Sequence, residues 1–212
     1  RLSRPNIVIG RISSQQGLLS PTVWAITQDK QGFIWFGTEW GLYRYDGHRC
    51  VAYRGGPDST AMSDDFVWCL YADRDSSLWI GTNVGINRFD PSTKTFKKYL
   101  HDPADSTSLS CNEVRAIYRD RAGVLWVGTK VGLNRFEERT GEWSRFSKTP
   151  EDSSRPADNF IKMIHEDREG NFWIASGNIM MSGGGVFRFD RATGSVTRFR
   201  PDPGDPKSAA VT

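Results

Sequence analysis

A four-residue motif that recurs along the chain is the feature that most restricts how this sequence can fold. The motif is a tryptophan, a β-branched or aromatic residue, a glycine and a threonine, and it begins at Trp35, Trp79 and Trp126. A weaker fourth copy begins at Trp173, where alanine and serine replace the glycine and threonine. Successive tryptophans lie 44, 47 and 47 residues apart. Self-similarity at a period of about 40–50 residues indicates a repeat architecture.

Each repeat contains four short segments rich in β-branched and aromatic residues, which is the composition of strands. Glycine-containing turns separate these segments. Four antiparallel strands in each period form the blade of a β-propeller. The sequence therefore predicts an all-β fold: a β-propeller of four-stranded antiparallel blades, with four repeats present in a larger ring of about seven blades.

The repeats also set the predicted domain boundaries. Residues 1–22 are expected to form an N-terminal outer strand, at 7–12, and a loop that leads into the first blade, while residues 200–212 link to a further blade. The fourth repeat has six extra residues near 177–184, which we interpret as a floppy surface loop or, through its methionines, as an adaptable contact surface. The predicted blades are residues 23–53, 67–99, 114–146 and 161–199.

The second strand of each repeat is apolar on both faces, which indicates that each sheet is covered on both sides. Trp79 and Gly81 point one way, and Leu78 and Ile80 point the other. Blades that stand side by side in a ring meet this requirement, and the glycine leaves a flat place for an aromatic ring of the next sheet. The repeated tryptophans are accordingly predicted to be structural core: Trp35, Trp79, Trp126 and Trp173.

Composition and motifs argue against several classes of function. The 28 Lys and Arg residues against 25 Asp and Glu leave a net charge of +3, without a basic cluster that would bind nucleic acid. The three cysteines and three histidines are not spaced as metal ligands, and no nucleophile or phosphate-binding motif occurs. No apolar stretch is long enough to span a membrane. We expect no nucleic-acid partner, no metal, no cofactor and no catalytic residue in this chain.

A structural role is expected for an arginine that recurs on the third strand. Each of these arginines has a carboxylate two residues further on, on the same side of the strand, which predicts a structural ion pair or a solvated rim in every blade. The pairs are Arg44 with Asp46, Arg88 with Asp90, Arg135 with Glu137 and Arg188 with Asp190. The aspartate that begins each turn between the first and second strands is likewise expected to accept backbone N–H groups.

The second residue of the innermost strand changes in character from repeat to repeat. It is Trp24, Trp68, Arg115 and Lys162 in chain order. Equivalent positions lie at one height near the axis of a ring, so these side chains would form a pocket wall that is half aromatic and half cationic. Such a wall suits an acidic sugar or another planar anion. The alternative is a solvated channel lining without a ligand.

The turns between the second and third strands supply the other candidate binding residues. These turns vary while the frame repeats, as binding loops do. Trp40 is the most informative of them, because a ring in a turn has a flat face that suits a sugar ring. The alternative is that Trp40 packs on its own loop or on the neighbouring blade. The candidate turn residues are Glu39, Trp40, Asn83 and Lys130.

Residues 28–38, Gln-Asp-Lys-Gln-Gly-Phe-Ile-Trp-Phe-Gly-Thr, and residues 41–47, Gly-Leu-Tyr-Arg-Tyr-Asp-Gly, resemble the two-component regulator propeller repeat. The resemblance recurs in all four repeats. In that family, such repeats form the periplasmic sensor region of membrane-spanning histidine kinases, often hybrid kinases, and many members are thought to respond to glycans.

The resemblance implies that the chain is an extracytoplasmic sensor propeller of a two-component signal transduction protein, in the periplasmic part of a bacterial inner-membrane protein. It implies an oligosaccharide or other small ligand as a partner, together with the remaining blades, a downstream transmembrane and kinase region, and a second copy joined through the parent protein. Any catalytic output would lie outside these residues. Two alternatives stay open: a protein-interaction scaffold without a small ligand, and a propeller polysaccharide lyase or hydrolase.

Overall fold

The computed structural model describes residues 10–146, 160–178 and 181–199, which fold into four separate four-stranded antiparallel sheets. In every sheet the strands lie side by side in the order of the sequence. The predicted all-β fold of four-stranded blades is confirmed. One 3₁₀ helix, Ser14–Gln16, precedes the first sheet.

The strands of each blade are numbered along the chain. Blade 1 contains β1 (Val23–Gln28), β2 (Ile34–Thr38), β3 (Gly41–Tyr45) and β4 (Cys50–Tyr53). Blade 2 contains β5 (Val67–Ala72), β6 (Leu78–Thr82), β7 (Gly85–Asp90) and β8 (Thr95–Tyr99). Blade 3 contains β9 (Val114–Arg119), β10 (Leu125–Thr129), β11 (Gly132–Glu137) and β12 (Glu142–Phe146). Blade 4 contains β13 (Ile161–Glu166), β14 (Phe172–Asn178), β15 (Met181–Phe189) and β16 (Val196–Phe199).

A hydrogen bond between an aspartate and a tryptophan ring ties the first turn of each blade to its second strand. Asp29 Oδ1 accepts the backbone N–H groups of Gln31 and Phe33. Its Oδ2 accepts the indole N–H of Trp35 at 2.7 Å. The bond recurs at 3.0 Å from Trp79 to Asp73, at 2.9 Å from Trp126 to Asp120 and at 2.7 Å from Trp173 to Asp167. The predicted turn role of the aspartate is correct but incomplete, because the carboxylate also fixes the tryptophan.

In blades 1–3 the motif tryptophan packs against the blade that follows. Trp35, Trp79 and Trp126 are only 1–2% exposed. Their ring centroids lie 5.3–5.6 Å from a phenylalanine on the third strand of the next blade. Trp173 is half-buried and lies 5.1 Å from the ring of Phe199 in its own blade. The difference arises because no blade follows blade 4 among the described residues.

The glycine of the repeated motif makes room for a β-branched side chain of the next blade. A Cβ atom on Gly37 would lie 2.6 Å from Val67 Cγ1, and one on Gly128 would lie 2.5 Å from Ile161 Cγ2. Both contacts are shorter than any that real Cβ atoms make. The expectation of an aromatic ring at this place is wrong. The glycine instead faces the first residue of the next inner strand, while the aromatic rings gather around the tryptophan.

Two arginines, one largely buried and one partly exposed, join neighbouring blades through the same aspartates. Arg119 on β9 pairs with Asp73 of blade 2, and its side chain is only 8% exposed. Arg191 of blade 4 lies 2.9 Å from Asp120 of blade 3 and 2.9 Å from Glu166. A single carboxylate therefore closes a turn, holds an indole and accepts an ion pair from the following blade.

The ion pair predicted within the third strand is wrong for Arg88. This arginine pairs with Asp75 in the first turn of its blade rather than with Asp90. Asp90 and Asp46 instead accept backbone N–H groups of the turns that follow their strands. A recurring carboxylate at this position is therefore explained by turn formation.

The predicted ends of the chain fall mostly outside the described residues. Of the outer strand expected at 7–12, residues 7–9 are not described, and residues 10–12 are not in a strand. The linker expected at 200–212 also lies outside the described residues.

The extra residues of the fourth repeat lengthen a hairpin. Asn178 at the end of β14 pairs with Met181 at the start of β15, beyond the point where the other blades turn. Residues 179–180 lie outside the described residues. The expectation of a floppy loop is wrong for the rest of the insertion, because its backbone extends the antiparallel ladder.

Ser76 has an unusual backbone conformation in the first turn of blade 2. It adopts φ of 71° at a position where the other blades have a glycine, such as Gly123 with φ of 88°. A side chain in this left-handed region costs roughly 1–2 kcal/mol, and the flexibility of glycine in the unfolded chain offsets part of that cost. We expect Ser76→Gly to raise the Tm by about 1–3 °C in thermal unfolding followed by circular dichroism.

Gly123→Ser is the matched control. A Cβ atom at Gly123 would meet no atom within 4 Å, so the effect of the substitution comes from the backbone alone. We expect its Tm to fall by about 2–5 °C. A Tm of Ser76→Gly at or below that of the unchanged chain would contradict strain in this turn.

The bond from Trp173 also sets the acidity of its partner. The indole N–H of Trp173 is the largest influence that lowers the pKa of Asp167 from 3.8 to about 2. Trp173→Phe should therefore move this pKa back toward 3.8 in an NMR titration of the carboxyl carbon. Because the folded-state pKa lies below the unfolded value, the carboxylate stabilises the fold above about pH 4, and this contribution is lost as the pH falls through about 2.

Trp40→Phe is the control for this titration. The Trp40 side chain stands in an exposed turn of a different blade, so its replacement should leave the pKa of Asp167 at about 2. An equal pKa in the Trp173→Phe and Trp40→Phe variants would show that the indole does not control the carboxylate.

Candidate functional site

A β-bulge in every inner strand takes one side chain out of the regular ladder. In blade 1, Val23 pairs with Thr38 and Ala25 pairs with Gly37, so Trp24 has no partner on β2. The inner strands of the other three blades contain the same irregularity. The unpaired residues are Trp24, Trp68, Arg115 and Lys162. Bulges redirect side chains, and these are the four positions that the sequence singles out as a pocket wall.

The side chains at the bulges, with two aromatic residues that precede bulges, form a belt across the four blades. The belt consists of Trp24, Phe66, Trp68, Arg115, Phe160 and Lys162. Phe66 stacks on Trp68 at 4.2 Å, and the rings of Trp24 and Trp68 lie 5.0 Å apart. Further along, Arg115 and Lys162 both lie over the ring of Phe160, at 5.4 and 5.6 Å. The belt is therefore continuous from blade 1 to blade 4.

Arg115 is the point at which the belt changes from aromatic to charged. Its guanidinium carbon lies 3.4 Å from the ring centroid of Trp68 and 5.4 Å from that of Phe160. The guanidinium also pairs with Glu113, and the Arg115 side chain is only 15% exposed. Such cation–π contacts strengthen as the cation loses water. Arg115 therefore joins the aromatic half of the belt to the charged half and presents little of its own surface.

Glu113 links Arg115 to one of the candidate turn residues. Its carboxylate lies 3.1 Å from Lys130 Nζ. Burial raises the pKa of Glu113, but the hydrogen bonds from Arg115 and Lys130 outweigh burial, so the net shift is downward. The carboxylate stays charged at neutral pH. Among the described residues, Glu113 pairs with two cations, Arg115 and Lys130, and Lys162 adds a third cation to this half of the belt.

Asn83 is the second candidate turn residue that reaches the belt. Its Oδ1 accepts the indole N–H of Trp68 at 2.7 Å. Its own backbone N–H donates to Asp64 at 3.2 Å, which holds the turn in place. The orientation of the Trp68 ring is therefore set by a turn of the same blade.

Glu39 and Trp40 occupy the equivalent turn of blade 1 but are not joined to the belt. Trp40 is 49% exposed, and its backbone N–H donates to Thr38 Oγ1 at 3.0 Å. Among the described residues, no hydrogen bond or ring contact connects either side chain to the belt. Trp40 instead belongs to a row of exposed apolar turn residues with Val84 and Val131.

Three residues of this region were missed by the sequence reasoning. Phe66, Glu113 and Phe160 each precede a bulged residue by two positions, and all three contact the belt or belong to it. An alignment of the repeats could have indicated them, because the position two residues before the bulge, like the bulge itself, has a different residue type from blade to blade. The period-two alternation of a regular strand places i and i+2 on one face, which supports the grouping.

A cleft of about 660 Å³ lies elsewhere, beside the first turn and third strand of blade 2. Its lining is polar and charged, and includes Asp75, Arg88 and Lys97. A groove of about 440 Å³ lies at the equivalent place in blade 4, beside Arg188. Because clefts occur at equivalent places in blades 2 and 4, we attribute them to the shape of the blade and not to a specific binding site.

Two kinds of feature are absent from residues 10–146, 160–178 and 181–199. Within these ranges, no three His, Cys, Asp or Glu side chains are grouped so that they could hold a metal ion. No helix in the same ranges combines the length and the apolar character needed to cross a membrane.

Comparison with known proteins identifies the repeat. The two-component regulator propeller repeat matches residues 17–40, 61–84, 108–130 and 156–178, once in each blade. Every match contains the inner strand, the first turn and the second strand, which is the segment that carries the aspartate–indole bond. The resemblance noted in the sequence is confirmed.

A curated relative contains a similar segment. Histidine kinase P4 of Formosa agariphila is 42% identical to this chain over 59 residues, which are 27% of this chain and 4% of that protein. The matched segment is thus a small part of a much longer protein.

Solved structures show the same architecture. Two from Bacteroides thetaiotaomicron, both described as extracellular domains of hybrid two-component systems, superpose with TM-scores of 0.68 and 0.66 at 26% identity. They cover 89% and 83% of this chain, which spans 31% and 24% of theirs. Virginiamycin B lyase of Staphylococcus aureus has a TM-score of 0.58 at 16% identity, with 88% of this chain and 57% of the lyase covered, a likeness of fold alone. The four blades are part of a larger propeller ring.

Substitution of Arg115 tests whether its stacking on Trp68 stabilises the fold. Arg115→Lys keeps the charge but removes the planar group that stacks on Trp68, so we expect a loss of about 1 kcal/mol in the free energy of unfolding. The Tm should fall by about 2–4 °C. Lys162→Arg is the matched control, because Lys162 is exposed, and its Tm should stay within about 1 °C of the unchanged chain. Equal Tm values for the two variants would contradict the structural role of Arg115.

Proposed function

We propose that this chain, whose four repeats are two-component regulator propeller repeats, is the ligand-binding input region of an extracytoplasmic sensor in a two-component signalling protein. The two similar Bacteroides structures are described as extracellular domains of hybrid two-component systems, which supports this role. A histidine kinase with a similar segment supports a kinase as the output. The parent would be a bacterial inner-membrane protein, with the propeller in the periplasm and dimerisation through the parent.

The belt is the observation that carries the proposal. Its variable residues stand at bulges, outside the ladder that repeats from blade to blade, so they differ without disturbing the frame. All four blades contribute to it, with stacked aromatic rings in blades 1 and 2 and cations over aromatic rings in blades 3 and 4. A surface that only lines a solvated channel has no need of stacked indoles and a guanidinium held between two rings.

The two halves of the belt suit the two parts of an acidic saccharide. Trp24, which is 49% exposed, offers a flat apolar face to a sugar ring. Lys162 and Lys130, the latter with a 56% exposed side chain, offer cations to a carboxylate. We infer that the ligand is an oligosaccharide with an acidic group, or another small molecule that combines a planar face with an anion. Trp40 and Glu39 would contact a longer ligand beyond the belt.

Two other functions remain as alternatives. A protein-interaction scaffold is favoured by the exposed apolar turn residues Trp40, Val84 and Val131, which are 49%, 41% and 39% exposed. A propeller polysaccharide lyase or hydrolase rests on likeness of fold alone, because the similarity to virginiamycin B lyase is 16% in sequence.

Isothermal titration of the chain with an oligogalacturonide and with a neutral oligosaccharide of equal length tests the proposal. We expect the acidic probe to bind more tightly. Lys162→Ala should weaken its binding by about tenfold, the effect of losing one charge-assisted contact. Arg115→Ala should also weaken binding, because the guanidinium holds the rings of Trp68 and Phe160 in the belt. Binding of the neutral probe should change little in Lys162→Ala.

Lys97→Ala is the matched control, since it removes a cation from the cleft in blade 2 and leaves the belt intact. Its affinity for both probes should equal that of the unchanged chain. Unaltered binding of the acidic probe by Lys162→Ala and Arg115→Ala would dispose of the belt as the site. Failure of both probes to bind the unchanged chain would favour the scaffold.

A further inference from the structure

Three interfaces between neighbouring blades are built in the same way. At each interface, a phenylalanine on the third strand of the following blade lies close to two aromatic residues of the preceding blade. These are the motif tryptophan and an aromatic residue on the fourth strand. Phe89 is 5.5 Å from Trp35 and 5.3 Å from Tyr53. The corresponding distances are 5.3 and 5.3 Å for Phe136, and 5.6 and 5.5 Å for Phe189. The aromatic contact between blades is therefore nearly constant.

A second contact at each interface requires a residue without a side chain. The motif glycine receives the first residue of the next inner strand, which is Val67, Val114 or Ile161. An added Cβ atom would lie 2.6 Å from Val67, 2.7 Å from Val114 and 2.5 Å from Ile161 at the nearest methyl carbon. A β-branched residue can dock in this manner only opposite glycine.

The outward face of blade 4 presents the same aromatic pair without a described neighbour. Trp173 is held by Asp167 at 2.7 Å, and Phe199 lies 5.1 Å from it, as the fourth-strand aromatics do in the other blades. Phe199 is 48% exposed and Met163, on the same face, is 64% exposed. The face is thus shaped to receive an aromatic side chain from a further blade.

Blade 4 differs at the position of the glycine. Ala175 pairs with Met163 across β13 and β14, just as Gly37 pairs with Ala25 in blade 1. The strand register therefore places the Cβ atom of Ala175 where the other blades have none. A valine or isoleucine docked in the usual way would overlap with this atom.

We propose that the outward face of blade 4 binds a further blade of the same repeat whose first inner-strand residue is glycine or alanine, and whose third strand places an aromatic ring on Trp173 and Phe199. Continuity with the three described interfaces identifies the occupant as a blade, and the larger ring requires one. The proposal does not depend on the ligand of the belt.

The same rule disfavours blade 1 as the occupant, whether from this chain or from a second copy. Blade 1 has a valine, Val23, as the first residue of its inner strand. Its methyl groups would meet the Cβ atom of Ala175. A ring closed by blades 1 and 4, or a head-to-tail dimer of this chain, is therefore disfavoured relative to a ring with a different following blade.

The first experiment tests, at a described interface, whether a β-branched residue can dock only opposite glycine. Gly37→Ala reproduces the alanine of blade 4 opposite Val67, and we expect the Tm to fall by about 3–10 °C through overpacking. Val67→Ala in that background should recover part of the loss, whereas Val67→Ala alone should lower the Tm because it leaves a cavity. Additive effects of the two substitutions would show that the residues do not constrain each other and would overturn the proposal.

The occupant is tested by joining a copy of residues 100–146, which contains blade 3, directly after Phe199. In one version the copy keeps the valine that corresponds to Val114, and in the other version this valine is replaced by alanine. Hydroxyl-radical footprinting then measures the exposure of the Met163 side chain. We expect protection of Met163 only in the alanine version. Ala175→Gly should extend protection to the valine version.

Each remaining result counts against the proposal. Equal protection by the valine and alanine versions with Ala175 in place would show that the alanine does not select the neighbour. Absence of protection in every version, including Ala175→Gly, would show that the face does not bind a blade of this repeat.

Discussion

The bond from a tryptophan ring to the aspartate six residues earlier is the interaction on which the rest of this propeller segment depends. In every blade the carboxylate holds the indole, which in blades 1–3 is then buried by the following blade. In blades 1, 3 and 4 it also closes the first turn by accepting the backbone N–H group four residues further on. In blades 2 and 3 it also accepts an arginine from the neighbour. Burial of a tryptophan contributes roughly 3–5 kcal/mol, and an unpaired indole N–H would remove part of that gain. Local turn formation and packing between blades are thus linked through one side chain.

The bulges separate the residues that maintain the frame from those that are free to vary. Residues on either side of each bulge keep their ladder pairs, and in blades 1–3 they are small or β-branched. Met163 of blade 4, which is 64% exposed, is the exception. The bulged residue has no such pair, and it ranges from tryptophan to arginine to lysine. Because these side chains meet one another near the start of the inner strands, variation at the bulges changes a shared surface without breaking the strand ladder.

Sequence reasoning was most accurate where the constraint repeats. The blades, the core character of the second strand and the changing residue type at positions 24, 68, 115 and 162 were all visible as periodic or quasi-periodic patterns. It was wrong where the partner of a residue depends on three-dimensional proximity. Arg88 meets Asp75 across a turn rather than Asp90 along its strand, and Gly37 faces a valine rather than a ring. Phe66, Glu113 and Phe160, which precede the bulged residues by two positions, were missed. Glu113, for example, contacts a lysine in a turn rather than a neighbour along its own strand.

The amino-acid sequence by itself determined the all-β repeat, the blade boundaries and the identity of the repeat as that of two-component regulator propellers, because hydrophobic periodicity and turn residues are encoded locally. Only the tertiary structure decided that four unpaired residues from different blades adjoin, and that Arg115 is held between two rings rather than presented to solvent. The reason is physical: a bulge arises from the pairing of two strands, and stacking arises from the angle between two sheets. Neither quantity is a property of any one segment of the chain.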